Sequence, residues 1–247
     1  MILLPVCNRR VSKARLVSSA ALSTALVFVA TASVSIYIPA TRGYFNLGDS
    51  MIFLTALLFG PLVGLLAGGL GSMLSDLFLG YTVYAPATLI VKGVEGFLTG
   101  FLHEVFAGKE SRATRLLMVL LPVPTVILGT MLVLFLFTGE AEVSLLTIYS
   151  ATVAYQPILF TILIVLAASL IFILRVYREN LPLIVPCFIG GFEMVLGYFL
   201  YELSLYQLGA VFEVPANFAQ TFLGTLVAVP LYNAVAKRIG QSRIISR

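Results

Sequence analysis

The sequence predicts an all-α integral membrane protein, and three observations carry that prediction. Of its 247 residues, 60% are hydrophobic and only 11% are charged, whereas soluble domains carry about 25% charged residues. Mean hydropathy is +1.06, more apolar surface than one soluble core can hide. The apolar residues also fall into long runs separated by basic clusters, the pattern of a multi-pass bundle. Residues 1–247 read as a single multi-pass membrane domain.

Helical spans are expected at 16–38, 50–59, 61–79, 86–106, 116–138, 147–174, 183–206 and 217–236. The first follows a basic tail and resembles a secretory signal, but its apolar run continues to Ile38, as in a retained span. The second is too short to cross alone, since a crossing takes about 20 residues. "FGP" (Phe59, Gly60, Pro61) separates it from the third, and Pro61 suits a first helical turn, so a tight turn is expected there.

Charge orients the bundle. Four clusters hold 13 of the 15 Lys and Arg residues, leaving Arg42 and Lys92. They are Arg9, Arg10, Lys13 and Arg15; Lys109, Arg112 and Arg115; Arg175 and Arg178; and Lys237, Arg238, Arg243 and Arg247. With both termini cytoplasmic in a cell membrane, every cluster falls inside, and Glu140, Glu142 and Glu213 fall outside. These basic residues flank helices and form no single patch, so no nucleic-acid partner is implied.

Catalytic signatures are missing. There is no phosphate loop of the G-x-x-x-x-G-K-[ST] type and no G-x-S-x-G elbow. Gly69-Leu70-Gly71 lacks the third glycine of a dinucleotide loop. One histidine, His103, and two cysteines, Cys7 and Cys187, make neither a metal site nor a disulfide framework. No catalytic residue, metal or cofactor is expected.

Small residues repeat at four-residue spacing in the third span (Gly60, Gly64, Gly68, Ser72, beside Ala67, Gly71 and Ser75) and in the fourth (Gly96, Gly100). That spacing lets helix backbones approach closely. The first span carries a similar pair, Ala21 and Ala25, which fits internal packing or docking on a membrane partner.

Three charges lie deep in the bilayer. Counted along their helices, Lys92 is roughly 9 Å, Glu95 roughly 13 Å and Glu193 roughly 15 Å from the nearer surface. Each costs at least about 2.5–3.5 kcal/mol unless paired or hydrated. They form a structural ion pair, line a polar pocket, or do both, with Glu95, Glu193 or both compensating Lys92. A second polar set gathers toward the outer face. Asn46 and Asp49 open the second span, with Asp49 able to cap its helix. Asp76, Tyr81 and Tyr84 close the third, Tyr201, Glu202 and Tyr206 end the seventh, and Asn217 and Gln220 begin the eighth. Tyrosines and amides placed so can stack on and hydrogen-bond a polar aromatic heterocycle. The expected substrate set is Asn46, Asp49, Tyr84, Lys92, Glu95, Glu193, Tyr201, Asn217 and Gln220.

"YFNLGDSMIFLTALLFGPLVGLLAGGLGSMLSDLFLGYTVYAPATLIVKGVEGFLTGF" (44–101) resembles the substrate-binding S components of energy-coupling factor (ECF) vitamin transporters, above all the riboflavin-type branch. "GGFEMVLGYFLYE" (190–202) and "VPANFAQTFLGTLVAVPLYNAVAKR" (214–238) resemble the last two helices of that branch. The resemblance covers 16–106 and 183–238. It implies a six-helix bundle with an outward pocket, a transmembrane coupling protein and two cytoplasmic ATPases. In the family, small residues of the first helix contact the coupling protein, and Ala21 and Ala25 match that motif. Residues 110–182 read as an insertion that adds two transmembrane helices.

The leading expectation is a subunit that captures a water-soluble vitamin or precursor, riboflavin-like or another aromatic heterocycle, for ATP-driven uptake. The alternatives are a stand-alone transporter or channel coupled to an ion gradient, and a scaffold protein without a ligand.

Overall fold

The computed structural model describes residues 13–106, 140–145, 149–154 and 180–239. Among these lie six α-helices: α1 (Lys13–Ser33), α2 (Gly48–Phe59), α3 (Pro61–Leu79), α4 (Ala85–Phe106), α5 (Leu181–Tyr206) and α6 (Val214–Ile239). Five stretches are long and apolar enough to cross a membrane; α2, with 12 residues, is not among them. The helical fold class holds, and a small sheet is added to it.

Strands β1 (Val34–Ile38), β2 (Gly43–Phe45), β3 (Glu140–Leu145) and β4 (Tyr149–Ala154) form an antiparallel sheet in the order β2-β1-β3-β4. This corrects the first span. The helix expected over 16–38 stops at Ser33, and Val34–Ile38 pairs with two strands instead. Val-Ser-Ile-Tyr-Ile is β-branched and aromatic, which favours a pleated surface, while its hydropathy equals that of a span. The span expected over 147–174 is corrected at its start, because Tyr149–Ala154 is a strand hydrogen-bonded to β3. The expected span 116–138 and residues 155–174 lie outside the described residues.

α2 and α3 meet at the expected turn. Gly60 has φ +84°, a conformation open to glycine, and Pro61 begins α3. α3 and α4 then pack through glycine. A Cβ on Gly64 would strike the Gly96 carbonyl, and one on Gly96 would strike the Gly64 carbonyl. A Cβ on Gly69 would come within 2.6 Å of the Leu89 carbonyl, and one on Gly100 within 2.6 Å of the Pro61 nitrogen. The four-residue repeat is thus a packing seam.

α2 lies inside the bundle. Ile52 and Phe53 are fully buried, and Phe53, Leu54 and Leu57 pack with Ile184, Val229 and Tyr232 of α5 and α6. Exposed leucines and phenylalanines such as Leu62, Phe78 and Leu200 cover the outside, as expected when lipid is the solvent.

Candidate functional site

One end of the bundle holds a polar cleft enclosing about 370 Å³, its open mouth included. It is framed by the end of α1, the β1–β2 hairpin, the C-terminal ends of α3 and α5, and the N-terminal ends of α4 and α6. These are the ends that the charge pattern places outside.

The floor is ionic. Lys92 of α4 is 2% exposed and pairs with Asp49 and, at 3.0 Å, with Glu95, both fully buried. Glu95 is an expected partner and Asp49 is an additional one. No ion pair joins Lys92 to Glu193. Asp49 does not cap α2 either: Leu47 holds the N-cap position, and Asp49 sits in the first turn. There its negative charge faces the positive end of the helix dipole. Gln220 fastens this floor to α6. Its Nε2 donates to Asp49 at 3.0 Å, and its Oε1 accepts from the Asn46 backbone at 2.9 Å. The Asn46 side chain accepts from the Gly48 N–H at 2.8 Å, fixing the entry to α2.

The walls are tyrosine and carboxylate. Tyr198 donates to Thr88 at 2.8 Å, and its ring centroid lies 5.8 Å from the Lys92 ammonium. Tyr44 donates to Asp76 at 2.6 Å and stacks on Tyr81 with centroids 4.2 Å apart. Tyr84 donates to the Thr41 carbonyl at 2.9 Å and reaches Glu202 at 3.3 Å. The Thr41 hydroxyl donates to Glu213. Burial, reinforced by Asp76, holds the Tyr44 phenol well above its ordinary pKa. Burial with Glu213 and Glu202 does the same for Tyr84. Both therefore stay protonated and act as donors.

Of the residues expected from sequence, Asn46, Tyr84, Lys92, Asn217 and Gln220 line the cleft. Asp49 and Glu95 hold Lys92 from the protein side. Glu193 and Tyr201 do not line it. Glu193 is half-buried on α5, and Tyr201 sits at the rim, donating to the Val83 carbonyl at 2.5 Å. The site set did not include Thr31, Tyr44, Asp76, Tyr198, Glu202 and Glu213, all of which line the cleft. Asp76 and Glu202 stood out as interfacial polar residues. Glu213 read as a loop charge, yet it is 3% exposed.

Away from the cleft, Ala21 and Ala25 lie on the exposed side of α1 beside Leu22, Leu26 and Val29, while Ala20, Ser23 and Val27 face the bundle.

Residues 11–177 match the family described as ECF-type riboflavin transporter, S component. The match includes the first four helices and the segment between α4 and α5. A curated relative from Pyrococcus woesei, "Uncharacterized protein in gap 3'region", is 53% identical over 78 residues, covering 32% of this chain and 52% of the relative. The chain thus spans about half the length of that relative. No solved structure matches. A multi-pass helical bundle with a polar cleft at one end, matched to this family over more than half its length, belongs to the S components of ECF-type riboflavin transporters.

Proposed function

We propose that this chain captures a riboflavin-like vitamin, or another aromatic heterocycle, from outside the cell and delivers it with a coupling protein and two ATPases. The cleft carries this reading. Its tyrosine faces suit a flat ring, and Asn217 and Gln220 suit a ring edge that both donates and accepts. ATP hydrolysis is assigned to the partners, since the chain has no phosphate loop. Both termini are placed in the cytoplasm and the cleft outside.

Sealed right-side-out vesicles carrying the chain should quench the fluorescence of riboflavin added outside. Quenching only after the vesicles are opened would reverse the orientation. Saturable uptake without any ATPase, driven by an ion gradient, would favour the stand-alone transporter. No quenching under either condition would remove the flavin reading.

The exposed small residues of α1 are assigned to the coupling protein. Close helix approach needs small side chains at the contact. Ala21→Trp or Ala25→Trp should abolish uptake in cells that supply the partners, yet leave riboflavin affinity within about twofold, below the factor of ten that 1.4 kcal/mol represents. Parallel loss of affinity would show that α1 serves the fold instead.

A further inference from the structure

The wall of the cleft carries more acid than base. Asp76, Glu202 and Glu213 line it, each at most 3% exposed, and Lys92 is the cation among its lining residues. Lys92 already faces Asp49 and Glu95, so its charge is matched before the wall is considered. Asp76 Oδ2 and Glu202 Oε2 are buried without a hydrogen-bond partner. The same holds for two hydroxyls of this cleft, Thr31 Oγ1 and Ser72 Oγ, at 1% and 3% exposure. Buried polar atoms without partners are costly, and these four belong to one cavity. Among the described residues, no three acids, histidines or cysteines are grouped to hold a metal ion. An extended organic donor fits this arrangement.

We propose that the cleft takes neutral or cationic heterocycles that bring N–H or O–H donors to Asp76 and Glu202, and that it rejects their phosphorylated forms. The proposal rests on the substrate-capture reading and narrows its ligand class. A phosphate would enter a buried acidic wall in which the one lining cation, Lys92, is already matched by Asp49 and Glu95, and burying an unpaired charge is costly. Rejection of the wrong ligand then comes from uncompensated charge as well as from fit.

The test uses the purified full chain and two pairs of probes: riboflavin with riboflavin 5′-phosphate, and thiamine with thiamine monophosphate. Affinity is measured by equilibrium binding, and folding by thermal melting without ligand. In whichever pair binds, the unphosphorylated member should bind about tenfold tighter or more. Asp76→Asn and Glu202→Gln keep a carbonyl to accept from Tyr44 and Tyr84, so the fold should survive. Each should shrink the ratio, chiefly by strengthening the phosphorylated form. A ratio of one or below in a binding pair would overturn the proposal and leave the capture reading intact. Folded variants with unchanged ratios would overturn the assignment to these carboxylates. Binding of the thiamine pair alone, with the expected ratio, would support the charge rule and sink the flavin reading. No binding by any probe would overturn both.

Discussion

Lys92→Met should destabilise the protein by about 3–5 kcal/mol and abolish ligand binding. The methionine fills a similar volume, so packing is nearly conserved. What is lost is the only cation, among the described residues, paired with Asp49 and Glu95, both fully buried. Breaking a buried ion group by removing one member leaves charge uncompensated, and that sets the magnitude. Lys92→Met with Glu95→Gln should recover only part of the stability, because Asp49 stays exposed to the same penalty. Adding Asp49→Asn should recover most of it, since the neutral amide can still accept from Gln220. Thermal unfolding of the four proteins in one detergent checks this order. A single variant that melts like the parent would mean that Lys92 reaches water and that the floor is not a closed ion group.

Gly96→Leu should prevent the bundle from assembling. The obstacle is backbone against backbone: a Cβ on Gly96 strikes the Gly64 carbonyl, and neither helix can move a carbonyl aside as it could a flexible side chain. Overpacking a core costs about 1–3 kcal/mol. Even Gly96→Ala should reach the upper end of that range, and leucine should exceed it. Gly93 on the same helix supplies the contrast. Its added Cβ would lie 3.4 Å from the Leu65 carbonyl, a contact that a slight shift relieves, so Gly93→Ala should be close to neutral. Size-exclusion profiles and melting temperatures of the three variants check the prediction. Equal behaviour of Gly93→Ala and Gly96→Ala would show that the seam is looser than the close approach implies.

The packing seam could be read before the structure because glycine spacing along one helix already selects a face. Lys92 and Glu95 were legible for the same reason, three residues apart on one helix. Asp49 was legible as a polar site residue but not as the partner of Lys92, because that approach depends on how α2 packs beside α4. Glu193 failed in the opposite way. Counting residues along α5 gives its depth but not the direction its side chain takes around the helix. β1 was hidden by composition, since an apolar strand and the end of an apolar helix have the same hydropathy. Glu213 was hidden by position: it follows a short 3-10 helix, Gln207–Phe212, that carries it back under the hairpin to Thr41.

The 12 residues of α2 span about 18 Å, against a hydrocarbon core about 30 Å thick. On the cleft side α2 begins only at the depth of the Lys92 floor, where Asp49 of its first turn pairs with Lys92, and the cleft lies above it. On the proposed reading, a vitamin resting on the Lys92 floor, roughly 9 Å deep, has therefore crossed about a third of the membrane before any ATP is spent. Below that floor the way is sealed by Phe53, Leu54 and Leu57 of α2, packed against α5 and α6. The rate of delivery then depends on how easily that plug is displaced, while affinity is set by the vestibule above it.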